Sequence, residues 1–264
     1  DAWWDMAMIH SHDVITGFHT TSVYDSAMHK LEQTEHTARS LLKVVIGEPP
    51  APKGGTDNAQ AIRVYNGLPF RRSGLVRLES VGDVKPVSSE NIDLPFQRMG
   101  DGVEFLIDVP ACGYTTVGLN GGTPDNKSHG GSEERAIIEN EYLRLECSRT
   151  AGIKRLTWKP TQTTVLEDAD DFLVVQHDAG GYRTEEPLGP PVPAHTGYFE
   201  LLHGGDPAVR SYLTLSAEAP SLSWMEAEGP LSWDAEFSLV PGKPVVYVRL
   251  VAQWHGERSR VRLK

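Results

Sequence analysis

Apolar positions change their spacing partway along the chain, and the change divides it. Residues 1–10 are apolar on nearly every side: Ala2, Trp3, Trp4, Met6, Ala7, Met8 and Ile9 leave only Asp1, Asp5 and His10 polar. Such a segment is expected to be buried all round. Beyond it Val23, Ala27, Leu31, Ala38, Leu41, Leu42 and Val45 fall on one face of a second helix. Its start is expected at Ser22, with Asp25 completing a capping box, and its end at Gly47 before Glu48-Pro49-Pro50. The two segments predict a helical hairpin whose turn contains His10-Ser11-His12-Asp13.

A Pro/Gly-rich connector follows, and from there the period is 2. Ile62 and Val64, then Val76 and Leu78, then Val103, Phe105, Ile107 and Val109 alternate with polar neighbours, broken by Gly67-Leu68-Pro69, Gly82-Asp83 and Pro110. Tyr114 to Leu119 reads as a further strand. A Gly/Asn/Ser-rich stretch then precedes Tyr142–Cys147 and, after a turn at Ala151-Gly152, Ile153–Trp158. Phe172–Val175, Tyr198–Leu202, Tyr212–Leu215 and Val245–Ala252 add more strands. Short strands at regular spacing with no helical pattern between them predict antiparallel sandwich units rather than a doubly wound sheet. The expected fold class is α+β, mainly β. Its divisions are a helical segment over 1–48, a linker over 49–60, a small β unit over 61–120, a second linker over 121–133 and a β-sandwich, expected to be incomplete, over 134–264.

Charge and cysteine usage narrow the partners. Among 264 residues, 36 acidic against 25 basic give a net charge of -11, which repels phosphate backbones and anionic lipid, so neither nucleic acid nor a membrane is expected as a partner. No run of about 18 apolar residues exists to span a bilayer. Cys112 and Cys147 are too few for a disulfide framework and read as small apolar strand residues. The chain starts at Asp1 without a signal-peptide pattern and is expected to be an interior piece of a longer one. Few cysteines and a lone sequon at Asn126 lean towards the cytoplasm.

The chemistry is concentrated near the N-terminus, where His10, His12, His19 and His29 lie within twenty residues. Imidazole and carboxylate are the usual protein ligands of Zn, so His12 and Asp13 form a candidate metal and hydroxyl-binding corner. The chain lacks a G-x-S-x-G elbow, a P-loop, a G-x-G-x-x-G after a strand, H-E-x-x-H and C-x-x-C. The pair His10-x-His12 also resembles the H-x-H of metal-dependent amidohydrolases, an alternative that requires a parallel barrel. The acidic run Glu167-Asp168-Asp170-Asp171 reads as a solvated turn.

Three blocks carry a more specific resemblance. The segment Ile9-His10-Ser11-His12-Asp13-Val14-Ile15-Thr16-Gly17, with Val23-Tyr24-Asp25 after it, resembles the H-H-D-x-I-T-G-T motif and following helix of family 38 glycoside hydrolases, the class II α-mannosidases. Arg63-Val64-Tyr65-Asn66-Gly67-Leu68-Pro69 with Arg71 and Val76 resembles that family's V-x-N-P-L-x-x-x-R strand pair. Ile138-Glu139-Asn140-Glu141-Tyr142-Leu143-Arg144-Leu145, with Gly152-Ile153 beyond, resembles the I-E-N-E-x-x-x-V strand and G-x-I turn that open its C-terminal β domain.

The resemblance implies that His12 is a ligand of a catalytic Zn and that Asp13 binds hydroxyls of a mannose. A looser similarity of Ala179-Gly180-Gly181-Tyr182 to the family's S-G-A-Y stretch makes Tyr182 a candidate substrate contact. Ser11 and Phe18 depart from the motif. In that family an upstream catalytic barrel supplies the H-x-D ligands, the aspartate nucleophile and the acid/base carboxylate, and no such motifs precede His10 here. The chain is therefore expected to be part of a Zn-dependent retaining glycosidase cleaving terminal α-mannosides, inactive in isolation, with a mannose-containing oligosaccharide or glycoside and that barrel as partners. A non-catalytic carbohydrate-binding or assembly β-sandwich, in which the histidines are structural, is the competing class.

Overall fold

The computed structural model describes residues 2–11, 14, 20–46, 60–88, 90, 92–121, 134–169, 172–180, 186–220, 222, 231–254 and 259–263. Two compact units are formed, Asp1–Arg63 and Val64–Lys264.

In the first unit, α1 spans Ala2–Ile9 and α2 spans Thr21–Ile46. The helix of α2 starts two residues earlier than the expected capping box, because the Thr20 carbonyl already accepts bonds from Val23 N–H at 3.0 Å and Tyr24 N–H at 3.1 Å. Ser22 thus sits inside the first turn. α1 packs on α2 and is tied to it by Lys30 Nζ on Asp5 Oδ1 at 2.5 Å. The expectation that α1 is buried on every side is not met. Among the described residues of its unit α1 packs on α2 alone, and a single helix covers a single flank, so Trp3 is 90% exposed and Trp4 and Met8 are exposed as well. The apolar stripe of α2 is likewise open to solvent at Leu41, Leu42 and Val45.

The rest is antiparallel sheet. β1 (Gln60–Asn66), β6 (Gly113–Gly121) and β3 (Val84–Val87) form one three-stranded sheet in that order, and β2 (Arg72–Leu78), β5 (Gly102–Val109) and β4 (Phe96–Met99) form another. Val103, Phe105, Ile107 and Val109 of β5 are buried together with Val117 and Leu119 of β6, as the period-2 pattern requires. Cys112 departs from its expected place in a strand. It lies in the turn between β5 and β6 with φ at 45°, exposed.

Past residue 134 the strands build two larger faces. One is the order β10 (Thr163–Ala169), β9 (Gly152–Trp158), β8 (Leu143–Ser148), β7 (Arg135–Glu139); the other is β13 (Glu200–Asp206), β14 (Arg210–Glu218), β15 (Ser232–Leu239), β16 (Val246–Gln253). A third sheet orders β12 (Val192–Pro193), β11 (Leu173–His177) and β17 (Ser259–Leu263). One apolar core joins them: Ile138, Leu145 and Cys147 from the first face meet Leu213, Leu215, Trp233 and Phe237 from the second, with Leu173 and Val175 of β11. This is a mainly β fold with sandwich packing, as the alternation predicts.

The acidic run is not a simple turn. Glu167 and Asp168 lie in β10, where they pair across the ladder with Arg155 and Lys154 of β9. Asp170 and Asp171 fall outside the described residues.

Burial decides the chemistry of the two thiols. Loss of hydration pushes the Cys147 thiol up to about 12, leaving almost no thiolate at neutral pH. A thiol count with iodoacetamide on the native chain is expected to give one modified cysteine, Cys112, and two after denaturation. Labelling of Cys147 in the native chain is the contrary result.

Candidate functional site

The first block of the predicted site is described only at its edges. His12 and Asp13, the candidate metal and sugar residues, lie outside the described residues, as do Thr16, Gly17, Phe18 and His19. On their two sides Ser11 N–H donates to Met8 O at 3.1 Å and Val14 N–H donates to Ser11 O at 3.0 Å. His10 is described: its Nδ1 bonds the carbonyl of Met6, one turn back in α1, at 2.7 Å. Nearby, His29 and His36 of α2 line a cleft of about 520 Å³ with Ala2, Asp5, Glu32 and Gln33. The ring Nε2 of His29 is within 2.8 Å of Gln33 Nε2.

Zn needs about three protein ligands. Among the described residues no group of three or more His, Cys, Asp or Glu could hold a metal ion. An imidazole at 12 and a carboxylate at 13 are suitable donor types for such an ion.

The other two blocks turn out to be built around asparagines that close turns. Asn66 at the end of β1 is buried; its amide donates to Phe70 O at 2.8 Å and Pro110 O at 3.0 Å, and its carbonyl accepts Leu68 N–H at 3.1 Å. Asn140, between β7 and β8, donates to Val240 O and Lys243 O, both at 2.9 Å, and accepts Tyr142 N–H and Leu143 N–H at 2.9 Å. Each side chain stands in for main-chain partners that the turns lack, which is why these positions need an amide rather than any polar group. Beside Asn140, the Gly242 N–H donated to Glu141 holds that carboxyl below its ordinary range.

Tyr182 also lies outside the described residues, but the chain on both sides of it is described. β11 ends at His177, and Asp178 forms an antiparallel bridge with Pro187. Ala179 N–H donates to Glu186 O at 2.9 Å and Leu188 N–H to His177 O at 3.0 Å. Asp178 is 3% exposed. Its Oδ1 accepts Gly180 N–H at 2.7 Å and Glu186 N–H at 2.9 Å, and its Oδ2 pairs with Arg260 Nε of β17. The Glu186 N–H, with the Gly180 N–H and the Arg260 and Arg262 charges, holds this carboxyl below the usual range against the opposing effect of lost hydration. The sequence reading did not single out Asp178. An acid one residue before the Ala-Gly-Gly-Tyr stretch was the available signal.

A second buried charge cluster joins β4 and β5 to β14 and β15. Arg210 at the start of β14 grips Glu104 of β5 with two nitrogens, Nε on Oε2 at 2.9 Å and NH2 on Oε1 at 3.3 Å, and reaches Glu236 of β15 with NH1 at 2.7 Å. Gln97 of β4 donates to Glu104 Oε2 at 2.9 Å and accepts the Asp206 N–H at 2.6 Å. The guanidinium is set at this point by the β13–β14 turn, where Gly205 has φ of 94° and an added Cβ would lie 2.1 Å from Arg210 O. Only glycine fits there.

Comparison with known structures adds the overall relationship. A protein of glycosyl hydrolase family 38 from Enterococcus faecalis superposes with a TM-score of 0.68 at 10% sequence identity, over 99% of this chain and 40% of that one. The chain shares the fold of that part of the solved structure. An α-mannosidase from Enterococcus faecalis V583 matches similarly, with a TM-score of 0.69, 10% identity and coverage of 99% of this chain and 38% of that one. No family model and no curated protein matches the sequence itself. The likeness thus extends through almost all of this chain, and the chain spans about two fifths of the length of the solved structures that share its fold. The recorded strand pairs are antiparallel, so the parallel barrel required by the amidohydrolase alternative is absent among the described residues. No described helix is long and apolar enough to cross a membrane.

Proposed function

We propose that this chain is the middle and early C-terminal segment of a Zn-dependent, retaining α-mannosidase, supplying one metal ligand and part of the sugar-binding surface. The observation that carries the proposal is a fold likeness covering 99% of the chain but only 38–40% of two glycosidase-family proteins, joined to the His12-Asp13 motif of the sequence. His12 holds the metal together with ligands from an upstream catalytic barrel, and Asp13 and Tyr182 bind hydroxyls of a terminal mannose. The nucleophile and the acid/base carboxyl, which retaining cleavage needs about 5 Å apart, come from that barrel. When bound, Zn supplies electrostatic fixation of the sugar hydroxyls. Two cysteines and a single sequon support a cytoplasmic location.

The test uses the full-length parent. His12→Ala is expected to remove bound Zn and to lower kcat/KM for an aryl α-mannoside by more than about 100-fold, since loss even of groups that merely support a metal ligand costs about 10–100-fold. The isolated 264-residue chain is expected to show no turnover. Full metal content and activity in His12→Ala would instead assign the chain to the non-catalytic carbohydrate-binding class.

A further inference from the structure

The two larger faces of the sandwich end in four edge strands, β10, β7, β13 and β16. An edge strand offers a row of unpaired main-chain N–H and C=O groups to any extended segment that reaches it, and folded chains guard such rows with charge, shortness or irregularity. Three of these four are guarded. β7 has five residues, with Arg135 and Glu139 at its ends. β10 carries Glu167 and Asp168 and a register shift between Thr164 and Leu166. β13 has acids at both ends, Glu200 and Asp206, and contains Gly205 with φ of 94°. β16 is the exception. It is the longest of the four at eight residues, with Arg249 as its single charge, no proline, and an unbroken register against β15 from Ser232↔Gln253 to Leu239↔Val246. Its exposed residues are also apolar: Tyr247, Val248 and Val251, with Val245 just before the strand. Val246, Val248 and Leu250 share one side by the two-residue period. The outer two pack against the sandwich core, yet Val248 between them is 56% exposed. The core thus runs out along β16 and stops there half covered. Among the described strands, only β15 pairs with β16.

We propose that β16 is a docking edge for a further β-strand of the parent chain, an extended segment whose core-facing side chains are apolar and which covers Val248 while taking the free N–H and C=O groups of β16. This rests on the reading above that the chain is a segment of a longer glycosidase, and uses none of its metal or sugar chemistry. A strand fits where a helix does not, because only extended backbone presents the matching row of donors and acceptors. The source follows from length and tethering. The likeness takes up 99% of this chain but 38–40% of the solved ones, so about three fifths of such a chain lies outside the matched part. A segment tethered to the same chain meets the edge at a far higher effective concentration than a second molecule does.

The experiment is hydrogen–deuterium exchange, read by mass spectrometry on peptides covering Val246–Gln253, in the full-length parent and in the present chain alone, with light scattering to fix the mass of each. Alternate residues of an antiparallel edge strand bond to its neighbour, so the monomeric chain alone is expected to protect about half of the β16 amides. In the monomeric parent the other half is expected to exchange at least about tenfold more slowly than in the chain alone. The same half protection in both proteins overturns the proposal. Full protection in the monomeric chain alone overturns it too, since one of that chain's own segments then lies on the edge. Protection in the parent that appears only with dimer formation names a second copy as the occupant and is equally contrary. If the chain alone does not stay monomeric, Val248→Lys with Val251→Lys gives β16 charges of the kind that guard the other edges and supplies the monomer for the comparison. Exchange is read without turnover, so a fully active His12→Ala parent would end the mannosidase reading and leave this result standing.

Discussion

Arg210→Ala is expected to lower the stability of the Val64–Lys264 unit by about 3–5 kcal/mol, read as a shift of the urea unfolding midpoint followed by tryptophan fluorescence. The reason is what remains behind rather than what is lost. Arg210 is 6% exposed and Glu104 is 3% exposed, so truncation leaves a carboxylate deep in the protein, where the Gln97 amide still donates to one of its oxygens. Glu236 and the sulfur of Met99, 3.7 Å from the guanidinium, lose the same partner. Arg210→Lys is expected to fall between Ala and the parent, because an ammonium keeps the charge but cannot reproduce the forked grip on both oxygens of Glu104. A midpoint shift worth less than about 1 kcal/mol for Ala would mean that water reaches the carboxylate and that the pair is dispensable.

Trp233→Ala is expected to cost a comparable amount, about 3–5 kcal/mol, for a different physical reason. The indole is 2% exposed and packs edge-on against Phe172, with centroids 5.1 Å apart, and against Phe199 at 6.0 Å. It lies where the sheet of β13–β16 meets β11 and the strands of the opposite face, so removing it opens a cavity that no single side chain can fill. Its Nε1–H also donates to Ala194 O at 2.6 Å. Trp233→Phe separates the two contributions. It restores most of the volume but leaves that carbonyl unpaired, and is expected to cost about 1–3 kcal/mol. Against a net stability of about 5–15 kcal/mol for a typical domain, the Ala variant is near the limit of folding at 37 °C, which soluble yield at that temperature also reports.

These two residues also show what the sequence makes legible. Trp233, Ala235, Phe237 and Leu239 alternate inward along β15, a period-2 signal that was present in the sequence but passed over among the acidic residues between them. β10 offered no such signal. Its residues are exposed on both sides, so no alternation marks it, and it is held by the ladder to β9 and by cross-strand charge pairs instead. Helix existence was readable and helix burial was not, since an apolar segment says only that it seeks cover, and α1 finds it on one flank. Arg210 and Glu104 were illegible for a stronger reason: they meet across 106 residues of chain, and nothing in a local pattern says which arginine will reach which glutamate. The candidate site was readable as a motif at His12 and Asp13, while Asp178 acquires meaning only when Gly180, Glu186 and Arg260 are seen around it.

The tie from Gln97 and Glu104 to Asp206, Arg210 and Glu236 has a bearing on how such a protein can change over generations. Strands β4 and β5 and the β13–β15 sheet look interchangeable with counterparts elsewhere, each with its own apolar core. Yet transplanting either one from a distant relative would strand half of a charge set in the new host. Five positions spread over 140 residues of chain are therefore inherited as one character, and recombination points between them are closed unless both sides arrive together.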